Sequence, residues 1–262
     1  MENKKIELSK IKVVILAGGL GTRLSEYTKL IPKPMINVCK KPILFHIIEH
    51  YQKFGFRNFI IATGYKSDYI INYFKNKKSF EEIKKKSKKN QKDKHFTQIK
   101  KSSNFSIVDT GLNTMTGGRI KRLKKYLSSE DNFCLTYGDG VSDVNLKKVV
   151  NLHIKRNKIV TVTAVRPPSR FGALKIKRND VEQFQEKTNF FDSWINGGFF
   201  IFKTSLLKFI KGDSTYLEKE PLQKISRIKQ MAAYKHYGFW HCMDTLRDKE
   251  NLEKFLKSKN AK

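Results

Sequence analysis

The chain has 262 residues, with 54 Lys plus Arg against 24 Asp plus Glu and a formal net charge of +30. At 39% hydrophobic and 12% aromatic it can bury a substantial core, which excludes a wholly disordered chain despite its charge. Its apolar runs fall far short of the roughly 20 residues a membrane-spanning helix needs, and its charged N-terminus lacks the apolar stretch of a secretory signal, so a soluble, cytoplasmic protein is expected. Residues 1–11 read as a short extension. Lys12 to Ala17 is a continuous β-branched run suited to a buried parallel strand, and a glycine-rich turn follows it at once. The segment from Pro42 has apolar residues at helical spacing and ends at Gly55 as a helix C-cap would. A second buried strand is expected at Asn58 to Ala62, and a helix at Lys66 to Phe74. A lysine-rich stretch, 75–104, then interrupts the rhythm. Strands resume at Phe105 to Asp109, Asn132 to Thr136 and Ile159 to Val165, with helices near Arg119 to Leu127 and Asn145 to Arg156. Ala173 to Lys177, Val181 to Glu186 and Ile195 to Phe202 read as an antiparallel set that extends the sheet. Helical segments near Leu206 to Ile210 and Leu246 to Leu256 complete the chain. This order predicts one α/β domain over 12–262: a Rossmann-like, mainly parallel sheet flanked by helices on both faces.

The charge invites a nucleic-acid reading, because clustered lysines release counterions from any phosphate backbone. Yet the excess is mostly Lys, which lacks the planar fork that base reading favours, and no zinc-finger or aromatic RNA-binding motif accompanies it. A solvated basic surface accounts for the lysines, and nucleic acid is not an expected partner. The same field would attract anionic small molecules. Three cysteines, Cys39, Cys134 and Cys242, are widely spaced and match neither a disulfide framework nor a zinc pattern. His46, His50, His153, His236 and His241 likewise show no metal-site spacing.

In an open α/β sheet, ligands bind beyond the carboxyl ends of the strands, so the loop after the first strand is the place for chemistry. It reads Leu16, Ala17, Gly18, Gly19, Leu20, Gly21, Thr22, Arg23. Glycines let the backbone approach a ligand and offer N–H groups to phosphate oxygens, and Arg23 adds a guanidinium fork; a plain flexible turn would read the same way. Neither a P-loop nor the dinucleotide fingerprint is satisfied, since Leu24 stands where a third glycine would be needed. Lys33 sits between Pro32 and Pro34, which presents its ammonium from a stiff segment that could hold a phosphate, or equally form a surface turn. Asp139, between Gly138 and Gly140, follows a predicted strand at the same edge, where a metal–phosphate complex could come close.

The combination LAGGLGTRL, PKPM and KPILFHI resembles the sugar nucleotidyltransferases, the NDP-sugar pyrophosphorylases. The stretches NTMTGGR (113–119), YGDGVSDV (137–144), RFGA (170–173), WINGG (194–198), GFW (238–240) and MDTLRDK (243–249) are similar to the cytidylyl-transferring branch of that family. The resemblance implies transfer of a cytidylyl group from CTP to α-D-glucose 1-phosphate, giving CDP-glucose for deoxysugar and surface-polysaccharide synthesis, with a uridylyl- or thymidylyltransferase as the alternative. It also implies roles. Leu16 to Arg23, Thr114, Arg119 and Gly138 would surround the nucleotide. Arg23 and Lys33 would hold the reacting phosphates. Asp139 and Asp244 would bind Mg²⁺. Glu186, Lys187, Asn196 and Gly197 would grip the hexose phosphate, and a homo-oligomer is expected. Two departures stand out. Thr188 replaces the proline usual after Glu-Lys, and 75–104 is more charged than the family pattern.

Overall fold

A computed structural model describes residues 7–83, 93–166, 173–185 and 194–260. Strands Lys12–Leu16, Asn58–Thr63, Ser103–Asp109 and Asn132–Tyr137 pair in parallel, with Lys12–Leu16 between Asn58–Thr63 and Asn132–Tyr137. Their continuous apolar runs suit a sheet buried on both faces. Alternate residues serve opposite sides: Val13, Ile15, Phe59, Ile61 and Cys134 join one core, while Val14, Leu16, Ile60, Ala62 and Leu135 join the other. Helices Ile43–Lys53, Ser67–Asn76 and Leu146–Arg156 contribute buried side chains to the first core; helices Thr116–Arg122 and Glu220–Arg227 contribute to the second.

Among the described residues the central sheet has nine strands. From Lys12–Leu16 the chain builds outward through Asn58–Thr63 and Ser103–Asp109, then returns to place Asn132–Tyr137 on the other side. The order therefore reverses beside the first strand, and the loops after Leu16 and Tyr137 face a shared crevice. Ile195–Lys203 lies antiparallel between Asn132–Tyr137 and Val160–Val165, and Met231–His236 closes that edge.

The expected helix ending at Gly55 is found, with Gly55 at φ 95° and its N–H donating to the Gln52 carbonyl at 3.0 Å. Two expectations are corrected. Of the expected antiparallel set, Ile195–Lys203 does extend the central sheet, but Ala173–Lys177 and Asp180–Gln185 pair only with each other among the described residues, as a separate two-stranded sheet, since both sides of Val160–Val165 are already filled by Ile195–Lys203 and Met231–His236. The lysine-rich stretch does not simply interrupt the sheet: Phe80–Glu82 and Lys94–Gln98 add two antiparallel edge strands, anchored by buried Phe80 and Phe96. The rest of its lysine cluster, 84–92, lies outside the described residues. Of the N-terminal extension, Leu8 and Ile11 pack against the first core. Among the described residues, no helix is long and apolar enough to cross a membrane.

Candidate active site

The loop after the first strand, the loop after Asn132–Tyr137 and the start of helix Thr116–Arg122 enclose a cavity of about 370 Å³. Its lining includes Leu16, Ala17, Gly18, Gly19, Gly21, Thr22 and Arg23 from the first loop, Lys33, Thr114, Arg119, Gly138 and Asp139. Leu20 is exposed and is not part of that lining. Tyr137, Thr116 and Tyr216, which sequence reasoning did not select, also line it.

Lys33 opens a single 3-10 turn, Lys33–Met35, that follows Pro32, and the lysine is only 9% exposed. Its ammonium donates to Asp139 Oδ2 at 2.6 Å and to Asp244 Oδ1 at 2.7 Å. Burial alone would lower the Lys33 pKa, but the two carboxylates outweigh it and hold the ammonium above its ordinary range. Arg23 donates to the other oxygen of Asp244 at 2.7 Å from a largely exposed side chain, where solvent weakens the attraction.

Asp139 and Asp244 meet through backbone pairing. Strands Gly140–Ser142 and Trp240–Cys242 are antiparallel, with Cys242 opposite Gly140, and the Met243 N–H donates to the Asp139 carbonyl at 2.9 Å. Beyond the ladder, Thr245 and Asp248 form a reciprocal cap on helix Leu246–Asn260. The Asp248 N–H donates to Thr245 Oγ1, and Asp248 Oδ2 accepts from the Thr245 and Asp244 N–H groups. Asp244 is thus pinned between a ladder and a capped helix. One oxygen each from Asp139 and Asp244, together with Cys242 Sγ, lie within 4.8 Å of one another. Carboxylate oxygens suit a hard divalent cation, and burial followed by the two carboxylates pushes the Cys242 thiol up, toward its protonated form. The residues present therefore fit a divalent ion held mainly by oxygen. Cys242 carried no signal in the sequence, because it and nearby Asp244 form a cluster only once Asp139 is brought in from a distant part of the chain.

Arg119 lies beneath the glycine loop and is buried. Its terminal nitrogens donate to the carbonyls of Gly18, Thr63, Gly111 and Leu112 and to the Thr110 hydroxyl, at 2.7–3.2 Å. The guanidinium therefore ties the loop to neighbouring strand ends, and a Cβ at Gly18 would collide with it. Asn196, Gly197 and Gly198 sit where the pairing of Val160–Val165 with Ile195–Lys203 shifts register, a β-bulge. Asn196 Oδ1 accepts from the Gly198 N–H at 2.8 Å, and the Gly197 carbonyl accepts from Trp240 Nε1 at 2.7 Å. Gly198 has φ 77°, and a Cβ there would approach the Tyr137 ring to 2.8 Å. Glu186 and Lys187, and the Arg170–Phe171–Gly172 stretch, lie outside the described residues.

The family model described as nucleotidyl transferase matches residues 12–245. A glucose-1-phosphate cytidylyltransferase of Salmonella typhimurium is 44% identical over 93% of this chain and 95% of its own length. A probable glucose-1-phosphate cytidylyltransferase of Bacillus subtilis is 37% identical over 91% and 93%. Among solved structures, HddC from Yersinia pseudotuberculosis superposes with a TM-score of 0.68 at 23% identity, covering 94% of this chain and 99% of that one, a likeness of fold.

Proposed function

The chain belongs to the nucleotidyl transferase family, and from that premise we propose that it transfers the cytidylyl group of CTP to α-D-glucose 1-phosphate, giving CDP-glucose and pyrophosphate. The observation that carries this reading is Lys33, held between Asp139 and Asp244 at a glycine-lined cavity. The 44% identity to a glucose-1-phosphate cytidylyltransferase supports the choice of both substrates.

The sugar phosphate is already an anion at neutral pH, so its oxygen can attack the α-phosphorus of CTP without a general base. What opposes reaction is the approach of two anions, which repel strongly where water is excluded. Lys33, fixed by its proline-braced turn and its two carboxylates, brings positive charge to the phosphates at no reorganisation cost. Arg23 does the same for the departing pyrophosphate from the loop edge. Backbone N–H groups of the Gly18, Gly19 and Gly21 loop would donate to phosphate oxygens, while Arg119 supports the loop from below through the Gly18 carbonyl. Asp139 and Asp244 would hold the divalent ion, assigned as Mg²⁺, which when bound neutralises phosphate charge. Thr114 and Gly138 border the nucleotide, and Asn196 and Gly197 border the hexose phosphate.

The test is pyrophosphate release with glucose 1-phosphate and each of CTP, UTP, dTTP, ATP and GTP in parallel. CTP should be the preferred donor by at least about tenfold, the scale of one net hydrogen bond. A higher kcat/KM with UTP or dTTP would overturn the base assignment and leave the chemistry.

A further inference from the structure

The segment 213–218 runs alongside the start of helix Thr116–Arg122 and is zipped to it. The Met115 N–H donates to the Asp213 carbonyl at 2.8 Å, the Gly117 N–H to the Thr215 carbonyl at 2.9 Å, and Arg122 forks onto both Asp213 oxygens. At its end stands Glu218. One carboxylate oxygen accepts from Thr116 Oγ1 at 2.6 Å, and the other accepts from the Tyr137 hydroxyl at 2.5 Å. Thr116 also receives the Leu217 N–H at 2.9 Å, so both hydroxyls are fixed in direction.

Tyr137 occupies a particular place. It is the last residue of its strand, two positions before Asp139, and its ring lines the cavity. The ring also abuts Gly198, next to the Asn196–Gly198 bulge. The ring thus stands as a partition between the cavity and the Asn196–Gly198 bulge. The ring packs against the second core and edge-on to Phe200, and the hydroxyl bond fixes its outer end. Bonds to a carboxylate are the stronger kind, so Glu218 is the dominant tether.

The geometry points to Glu218 as a positioning residue that acts through Tyr137, holding the wall between the nucleotide cavity and the hexose-phosphate side so that attacking oxygen and α-phosphorus stay aligned. This rests on the two-substrate reading above. Nothing in the residue types around Glu218 signals it; its partners lie 102 and 81 positions away in sequence.

A double-mutant cycle measures the role. Tyr137→Phe, which keeps the ring, and Glu218→Ala should each lower kcat/KM for the sugar phosphate about tenfold, the scale of a small loss of alignment, with KM for CTP changed less than about twofold. The double variant should be no worse than the poorer single one, because both remove the same tether. Glu218→Gln should recover most of the loss, since its amide oxygen still accepts from Tyr137, and it supplies the readout if the alanine variant folds poorly. Additive losses, an equal rise in KM for CTP, or unchanged kinetics in all variants would overturn the assignment. The cycle is run with whichever base and hexose 1-phosphate the wild-type protein prefers, so a wrong substrate assignment and a wrong Glu218 assignment give separate results.

Discussion

In the proposed reaction Lys33 faces two demands that oppose each other: it must be buried to act strongly on phosphate and must remain charged while buried. Asp139 and Asp244 reconcile them by raising its proton affinity against the effect of desolvation. Lys33→Ala should therefore lower kcat about 10²-fold or more, the scale for deleting a preorganised charge. It should also lower the melting temperature, because two carboxylates would then face each other with no cation between them. Pyrophosphate release at saturating CTP and a thermal melt check both parts, and a near-normal rate would remove Lys33 from the chemistry. The proline-flanked lysine was visible in the sequence because Pro restricts its neighbours locally. Its carboxylate partners were not visible as partners, nor was the commitment of Arg119 to backbone carbonyls, since such bonds depend on which strand ends the fold brings together.

At the scale of elements, the short ladder Gly140–Ser142 with Trp240–Cys242 and the capped helix Leu246–Asn260 together place Asp244. The cap has a readable signature, Thr-x-x-Asp ahead of an amphipathic run, yet its use in aiming the preceding residue depends on where the helix docks. Asp248→Ala removes the acceptor for two backbone N–H groups and should cost about 1 kcal/mol of stability, the usual scale for losing a cap. Because one of those N–H groups belongs to Asp244, a metal titration of activity should move to higher ion concentration in the same variant. A lost cap with an unmoved titration would show that the ladder alone sets Asp244. The hairpin formed by Ala173–Lys177 and Asp180–Gln185 teaches a related lesson: alternation marks a strand but does not say which sheet will accept it.

At the scale of the whole molecule, burial of the core stores a pH dependence that the +30 surface charge does not suggest. His153 is buried and His50 half-buried, and desolvation lowers both to about 4 from an ordinary 6.5. In the folded protein they stay neutral where the unfolded chain would protonate them. Their contribution is complete above about pH 6.5 and is lost as pH falls toward 4. Melting temperature should decline across that window, and His153→Gln, which keeps a hydrogen-bonding side chain beside Thr161 and Asn132, should flatten the decline. A melting temperature constant between pH 7 and 4.5 would contradict this. The sequence by itself determined the buried strands, the glycine loop and the braced lysine, because apolar runs, Gly and Pro act on the backbone within a few residues; Asp139 and Asp244 were singled out by the family resemblance, not by any local rule. Tertiary structure alone decided that Asp139 and Asp244 share one lysine, that Arg119 props the loop and that Glu218 tethers Tyr137. Each of these joins residues from separate strands and loops, and no local rule of chain geometry carries information across that distance.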